Sequence, residues 1–143
     1  MKNYNTILIV DDDPIARGIF RTYFTQRGAG RVFEAANGVQ ALKILDEADV
    51  EIELIQLDIY MPQMDGIEVM RHLRDREFSG DIAIVSGAKF TDRANAIELA
   101  AMYNLNVVGE VKKPLTKKSL EALFNPAVSA FPNTGVSGEG AAA

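Results

Sequence analysis

The chain has 143 residues, a formal net charge of −5 and no cysteine. This length fits one domain with a short tail, the lack of cysteine excludes disulfide frameworks and thiolate metal sites, and the excess of acidic residues argues against binding to a nucleic-acid backbone. No apolar run approaches the ~20 residues of a membrane span, and the first residues do not form a signal peptide. We therefore expect a cytoplasmic protein that binds neither nucleic acid nor membrane.

Short apolar runs alternate with helical patterns between residues 6 and 124. We predict strands at 6–10, 31–35, 52–57, 81–85 and 107–111, and a helix after each of them, at about 14–27, 38–45, 67–73, 91–104 and 117–124. Asp13 and Pro14 are typical of a helix start, and Gly28 is typical of a helix end. Strict alternation with right-handed crossovers predicts an α/β fold with a doubly wound, five-stranded parallel sheet.

Two segments in the carboxyl-terminal half carry further predictions. The helix at 91–104 has an apolar face that we expect to pack mostly on the sheet. The members of this face are Ala94, Ile97, Leu99, Ala101, Met102 and Leu105. After Phe124 the pattern stops, and the remaining residues include two prolines, three glycines and few large apolar side chains. This composition predicts a domain at 1–124 and a linker or disordered tail at 125–143.

Four of the predicted strands end at charged or hydroxyl side chains. Asp11 and Asp12 follow the first strand, Asp58 the third, Ser86 the fourth and Lys113 the fifth. Ligands of doubly wound sheets bind beyond the carboxyl ends of the strands, so we expect these side chains to meet there. Gathered carboxylates repel each other unless a cation compensates, and Mg²⁺, with Mn²⁺ as a substitute, suits oxygen ligands and a phosphate. A lysine and a serine hydroxyl could then bind phosphate oxygens.

Four sequence motifs resemble the receiver domains of two-component response regulators. They are LIVDDDP at 8–14, LDIYMPQMDG at 57–66, VSG at 85–87 and KP at 113–114. The resemblance covers residues 5–124 and implies the flavodoxin-like, CheY-like (βα)5 fold. It also implies a regulatory phosphoacceptor that accelerates only its own phosphotransfer and dephosphorylation.

The resemblance assigns a role to each residue at the strand ends. Asp58 would be the phosphoacceptor. Asp12 would bind Mg²⁺ directly and Asp11 mostly through water, and Asp58 and the main-chain carbonyl of Tyr60 would complete the metal site.

The remaining motif residues would respond to the phosphoryl group. Ser86 would be the switch hydroxyl that turns towards it, Lys113 would pair with it, and the Lys113–Pro114 bond would be cis. The fourth and fifth strand–helix units would then shift between two arrangements.

The same resemblance names partners. The phosphodonor would be a sensor histidine kinase or a phosphotransfer protein. Residues 104–114 resemble receivers fused to EAL cyclic-di-GMP phosphodiesterase domains, which would place such an output domain after residue 124. A DNA-binding effector and a stand-alone regulator that docks on a partner stay open as alternatives. Met102 and Tyr103 mark a candidate surface for an effector or a homodimer.

One position departs from the family pattern. Receivers usually carry an aromatic residue three positions before the lysine, and this chain has Glu110 there. This puts the coupling of that position to Ser86 in doubt, and we expect Glu110 to be an exposed acid at the strand end.

Other protein classes fit the sequence less well. A haloacid-dehalogenase-like phosphatase would carry a second aspartate two residues after its nucleophile, where this chain has Tyr60. A flavin-binding module would need a phosphate-binding loop after the first strand, and three aspartates there would repel a phosphate. A receiver-like interaction domain that has lost phosphorylation would ordinarily lack an acidic residue or the lysine.

Overall fold

Five strands alternate with five helices in residues 3–61, 63–87 and 90–125, the parts of the chain that a computed structural model describes; for residues 90–94 only the backbone is described. The strands are β1 Thr6–Val10, β2 Arg31–Ala35, β3 Leu54–Asp58, β4 Asp81–Ser86 and β5 Asn106–Lys112. The helices are α1 Pro14–Gln26, α2 Gly38–Glu47, α3 Gly66–Asp75, α4 Phe90–Met102 and α5 Lys117–Phe124. The expected α/β fold is confirmed.

All neighbouring strands pair in parallel, in the order β2-β1-β3-β4-β5. The three central strands are buried along their whole length, as expected for strands covered on both faces. The chain moves from β1 outward to β2 and then returns to the other side of β1 through β3. This reversal places the topological switch point between β1 and β3, which is where doubly wound sheets bind their ligands.

Each face of the sheet has its own apolar core. One core lies under α2, α3 and α4 and includes Leu8, Ile55 and Ile84 from the strands. The other lies under α1 and α5, where the rings of Tyr23, Phe24 and Phe124 contact each other. Burial of apolar surface on both faces holds the strand ends in fixed relative positions.

Polar side chains cap the helix starts. The caps of α1, α2, α3 and α5 are Asp13, Asn37, Asp65 and Thr116, and each accepts a hydrogen bond from a main-chain N–H in the first turn. Helix α1 ends just before Gly28, whose φ of +93° favours glycine. The predicted cap at Asp13 and the predicted end at Gly28 are therefore confirmed.

Several predicted boundaries shift by one or two residues. Strand β3 begins at Leu54 and not at Ile52, β4 extends to Ser86, and β5 runs from Asn106 to Lys112. Helix α4 ends at Met102, two residues early, and Asn104 follows with a φ of +59°. The limits of a strand depend on its hydrogen-bonded pairing with neighbouring strands. The residue pattern of one segment does not show this pairing.

The predicted apolar face of α4 is confirmed at Leu105 but is wrong at Ile97, Ala101 and Met102. Among the residues of α4 whose side chains are described, Ala96 and Ala100 enter the core, and Leu105 follows after the helix. Ile97 is 39% exposed and Met102 is 77% exposed, while the side chain of Ala94 lies outside the described residues. Two alanines one turn apart let the helix pack closely on the sheet, and Ile97 and Met102 lie on other sides of the helix, towards solvent.

Strand β5 contains one extra residue relative to β4. Ile82 pairs with Val107 and Ala83 pairs with Gly109, so Val108 forms a bulge. Beyond the bulge Glu110 pairs with Ile84, whose side chain lies in the core under α2, α3 and α4. Glu110 is half-buried and not exposed as expected. The physical reason is that Glu110 lies within β5 and not at its end, and the bulge places it on the side of the sheet that α2, α3 and α4 cover.

Helix α5 ends at Phe124, the predicted domain boundary. Of the predicted tail, only Asn125 is described, and the rest of 125–143 lies outside the described residues. None of the helices in the described ranges combines the length and the apolar character needed to cross a membrane.

Candidate functional site

The carboxyl ends of β1 and β3 bring three carboxylates together. Asp11 follows β1 directly, and Asp58 is the last residue of β3. Both are buried, with 1% and 2% of their surface exposed, whereas Asp12 is exposed. One carboxylate oxygen from each of the three residues lies within 4.8 Å of the others. The sheet edge predicted from the sequence is therefore an acidic site.

Lys113 and Tyr60 contact the carboxylate of Asp58 from two sides. The Lys113 ammonium nitrogen donates to Asp58 Oδ2 at 3.1 Å, and the main-chain N–H of Tyr60 donates to Asp58 Oδ1 at 3.2 Å. Both hydrogen bonds favour the ionised carboxylate. They also fix its orientation at the open end of the sheet.

Asp11 has one satisfied oxygen and one unsatisfied oxygen. Its Oδ1 accepts from the main-chain N–H of Asp13 at 2.9 Å. Its Oδ2 is fully buried and accepts no hydrogen bond from the described residues. Lys113 Nζ lies 3.5 Å away, near enough for charge attraction but long for a hydrogen bond. A buried carboxylate oxygen in this state needs a further positive partner.

The charges at this site perturb each other. Burial, and then the charge of Asp11, raise the pKa of Asp58 to about 7, although Lys113 and the Tyr60 N–H act in the opposite direction. Burial also raises the pKa of Asp11, against the Asp13 N–H and Lys113. Burial lowers the pKa of Lys113, but the two carboxylates outweigh this, so the net shift is upward. One ammonium group therefore does not compensate the acidic cluster fully.

The other predicted residues lie at the same edge. Ser86 ends β4 and is 1% exposed, while Tyr60, two residues after the end of β3, is 54% exposed. The Lys113–Pro114 peptide bond is cis. Asp13 contributes to the helix cap, with its Oδ1 accepting from the N–H of Ile15 at 2.9 Å.

Arg17 contacts the site although it belongs to none of the sequence motifs. Its Nη1 donates to the main-chain carbonyl of Asp11 at 2.7 Å, and its Nε donates to Glu34 Oε1 at 3.1 Å. A weak signal was present, because Arg17 and Arg21 lie four residues apart on α1 and so share a helix face. Their common partner, Glu34, comes from β2 and is visible only in the folded chain.

Comparison with known proteins identifies the family. The family model described as response regulator receiver domain matches residues 7–125. The chain belongs to the response regulator receiver family. This receiver domain is 31% identical to Regulator of RpoS of Escherichia coli strain K12 over 109 residues, which cover 76% of this chain and 30% of that protein. It spans about a third of the length of the curated relatives that it matches, such as DctR of Bacillus subtilis.

Solved structures resemble the receiver domain over most of its length. A response regulator from Colwellia psychrerythraea is 29% identical, with a TM-score of 0.71 and coverage of 88% of this chain and 97% of that chain. The response regulator TrrA from Thermotoga maritima, solved in complex with Mg²⁺-BeF, is 25% identical, with a TM-score of 0.67 and coverage of 85% and 97%. The chain is thus a regulatory module of phosphorylation-based two-component signalling.

Proposed function

We propose that this receiver domain is a switch in which Asp58 accepts a phosphoryl group from a histidine kinase or a phosphotransfer protein. The observation that carries the proposal is the environment of Asp58. Its carboxylate is buried at the switch point of the sheet, within reach of two other carboxylates and 3.1 Å from an ammonium group. Burial and the neighbouring charge of Asp11 raise the pKa of Asp58, and such perturbed groups cluster at functional sites.

The acidic cluster fits a magnesium ion. Its donors are hard carboxylate oxygens, three of them lie within 4.8 Å, and Asp11 Oδ2 is buried without a hydrogen bond from the described residues. Asp11, Asp12, Asp58 and the main-chain carbonyl of Tyr60 would hold the ion, and Mn²⁺ would substitute for it. Bound there, Mg²⁺ would neutralise carboxylate charge and charge on incoming phosphoryl oxygens. The Mg²⁺ in the TrrA structure supports this assignment.

The chemical step is a transfer between two covalent bonds. A carboxylate oxygen of Asp58 attacks the phosphorus of a phosphohistidine, an O–P bond forms, and the P–N bond breaks with its electron pair leaving on the imidazole nitrogen. Lys113 holds the carboxylate in position and offers positive charge to the phosphoryl oxygens. Most of the rate enhancement would come from positioning and electrostatics, because these side chains transfer no proton.

The output would follow from the elements that carry Ser86 and Lys113. Ser86 ends β4 and Lys113 follows β5, so a phosphoryl group bound by both would bias the β4–α4 and β5–α5 units. Ile97, Met102 and Val108 are exposed apolar side chains on α4 and β5. They form the surface that we propose for an output domain, a partner protein or a homodimer.

The proposal also covers the extent of the domain, its location in the cell and its output. The domain would occupy residues 1–124 and act in the cytoplasm, as a regulator and not as an enzyme on other substrates. An EAL phosphodiesterase after residue 124 is the output that the 104–114 segment favours. A DNA-binding effector or a docking partner would use the same α4 and β5 surface.

Tyr60 would shield the phosphorylated site from water. Its side chain stands half-exposed two residues beyond Asp58. We expect Tyr60→Ala to shorten the half-life of the phosphorylated protein roughly two- to fivefold, an increment of about 0.4–1 kcal/mol in the hydrolysis barrier. The decay of the phosphorylated mass after removal of the donor measures this, and an unchanged half-life would refute the shielding role.

Intact-mass measurement with acetyl phosphate tests the proposal. We expect the wild-type protein to gain one phosphoryl group in the presence of Mg²⁺ and none in EDTA, and we expect Asp58→Asn to gain none. Asp65→Asn is the matched control, because asparagine caps α3 as well as aspartate and Asp65 lies outside the cluster. No gain by the wild type, with this donor or with a phosphorylated phosphotransfer protein, would favour an interaction module that lacks phosphorylation.

A further inference from the structure

Arg17 joins three elements next to the acidic cluster. It lies on α1 with 19% of its side chain exposed. It donates to the main-chain carbonyl of Asp11 at 2.7 Å and to Glu34 on β2 at 3.1 Å. The guanidinium group thus ties the loop between β1 and α1 to the neighbouring strand.

The main-chain carbonyl that Arg17 binds lies between two proposed metal ligands. It belongs to the peptide unit that joins Asp11 to Asp12, so its orientation sets the direction in which both side chains leave the backbone. The N–H of Asp11 donates to the carbonyl of Ala35 at 3.1 Å, which fixes the start of the loop. Arg17 fixes the next carbonyl, and a planar guanidinium can do this while it also binds a carboxylate.

We infer that Arg17 is a positioning residue for the cation site, which holds Asp11 and Asp12 in the geometry that the metal requires. The inference rests on the proposed function, because it concerns the same acidic cluster. Groups that orient metal ligands commonly change metal affinity about 10- to 100-fold when they are removed. Arg17 would act in this way through the backbone of a ligand.

Charge and positioning predict opposite effects for the loss of Arg17. A positive charge near the site repels Mg²⁺, so its removal would tighten metal binding on electrostatic grounds alone. Loss of the hydrogen bond to the Asp11 carbonyl would loosen the loop and weaken metal binding. The sign of the change therefore separates the two roles.

Arg21 provides a matched control on the same helix. It lies one turn after Arg17 and pairs with Glu34, but within the described part of the chain it makes no contact with Asp11. Arg21→Gln removes the same charge and a bond to the same acid and leaves the Asp11 carbonyl held. Arg17→Lys keeps the charge but loses the forked geometry that reaches Glu34 and the carbonyl together.

The experiment is a titration with MgCl₂ followed by amide chemical shifts of the full chain. We expect Arg17→Gln to weaken Mg²⁺ binding about tenfold, Arg17→Lys to weaken it about threefold, and Arg21→Gln to change it less than about twofold. As a second readout, saturating Mg²⁺ should restore the rate of phosphorylation of Arg17→Gln by acetyl phosphate.

Three outcomes would overturn the inference. If Arg17→Gln binds Mg²⁺ as tightly as the wild type or more tightly, the positioning role of Arg17 is overturned and the proposed function stays intact. The same holds if saturating Mg²⁺ does not restore the phosphorylation rate of Arg17→Gln. No Mg²⁺ binding by the wild-type protein would overturn both. Melting temperatures check that the variants fold, and Arg17→Lys carries the test if Arg17→Gln does not.

Discussion

Each end of the sheet buries an aspartate, and the two aspartates differ in how their carboxylate oxygens are hydrogen-bonded. At the amino end, Asp81 is 5% exposed; its Oδ2 accepts from the Tyr4 hydroxyl and its Oδ1 from the Asn106 amide, both at 2.7 Å. At the carboxyl end, Asp11 is 1% exposed and has one oxygen without a hydrogen bond from the described residues. A buried carboxylate with both oxygens satisfied stabilises a fold. A buried carboxylate that has an oxygen without a hydrogen bond and lies among like charges is suited to bind a ligand.

The largest effect on stability is expected at the amino end. Asp81→Ala should lower the free energy of unfolding by about 2 kcal/mol, because the Tyr4 hydroxyl and the Asn106 amide lose their acceptor in a partly buried place. Urea unfolding measures this, and the rate of Asp58 phosphorylation should stay within about twofold of the wild-type rate. An unchanged free energy of unfolding would show that the amino end of the sheet tolerates the loss of its buried aspartate.

A substitution at the carboxyl end should have the opposite sign. Asp58→Asn is expected to stabilise the metal-free protein at pH 7.5 by about 1 kcal/mol, because it removes a buried charge that Lys113 compensates only in part. Asp65→Asn, which keeps a helix cap, should change stability by less than about 0.5 kcal/mol. Destabilisation by Asp58→Asn in urea unfolding with EDTA would remove the proposed contrast between the two ends.

The pH dependence sharpens the same contrast. The pKa of Asp58 rises from its ordinary value of 3.8 to about 7 in the folded protein, so the folded state keeps a proton that the unfolded state has already released. Stability of the metal-free protein should therefore fall as the pH rises from about 4 to about 7. The difference in melting temperature between the wild type and Asp58→Asn, measured across this range in EDTA, should grow with pH. A difference that stays constant would contradict the raised pKa.

The smallest effect is expected for an exposed ion pair at the amino end. Arg76 binds Asp46 through two hydrogen bonds, both 2.9 Å long, and these bonds lower the pKa of Asp46. Arg76→Gln should lower the free energy of unfolding by less than about 1 kcal/mol, because water screens this pair. The loss should shrink further in 1 M salt. If Arg76→Gln lowered the free energy of unfolding as much as Asp81→Ala, burial would not explain why the two substitutions are expected to differ.

Much of the candidate site could be predicted because a parallel sheet aligns the ends of its strands. Three separate motifs predict that Asp11, Asp58 and Lys113 lie at one edge of the sheet. In the structure, the carboxylates of Asp11 and Asp58 lie within 3.5 Å of Lys113 Nζ. The roles of these residues in phosphotransfer stay predictions until the acetyl phosphate experiment is done. Their position follows from alternation of strands and helices, which is a property of the sequence.

Three features depended on contacts between distant parts of the chain. The apolar pattern of α4 could not show that Ala96 and Ala100 would face the sheet, because the approach of the helix selects its inner face. The bulge at Val108 reverses the side of the sheet that Glu110 occupies. Arg17 binds the Asp11 carbonyl and also Glu34, which comes from β2.

The sequence by itself determined the order of the elements, the helix caps and the residues that follow each strand, because these depend on local periodicity and turn chemistry. The tertiary structure alone decided which of those residues are buried, which carboxylate oxygen lacks a hydrogen bond and which arginine binds the loop between β1 and α1. Burial, hydrogen-bond geometry and pKa depend on the atoms that surround a group, and folding brings most of those atoms from remote positions in the chain.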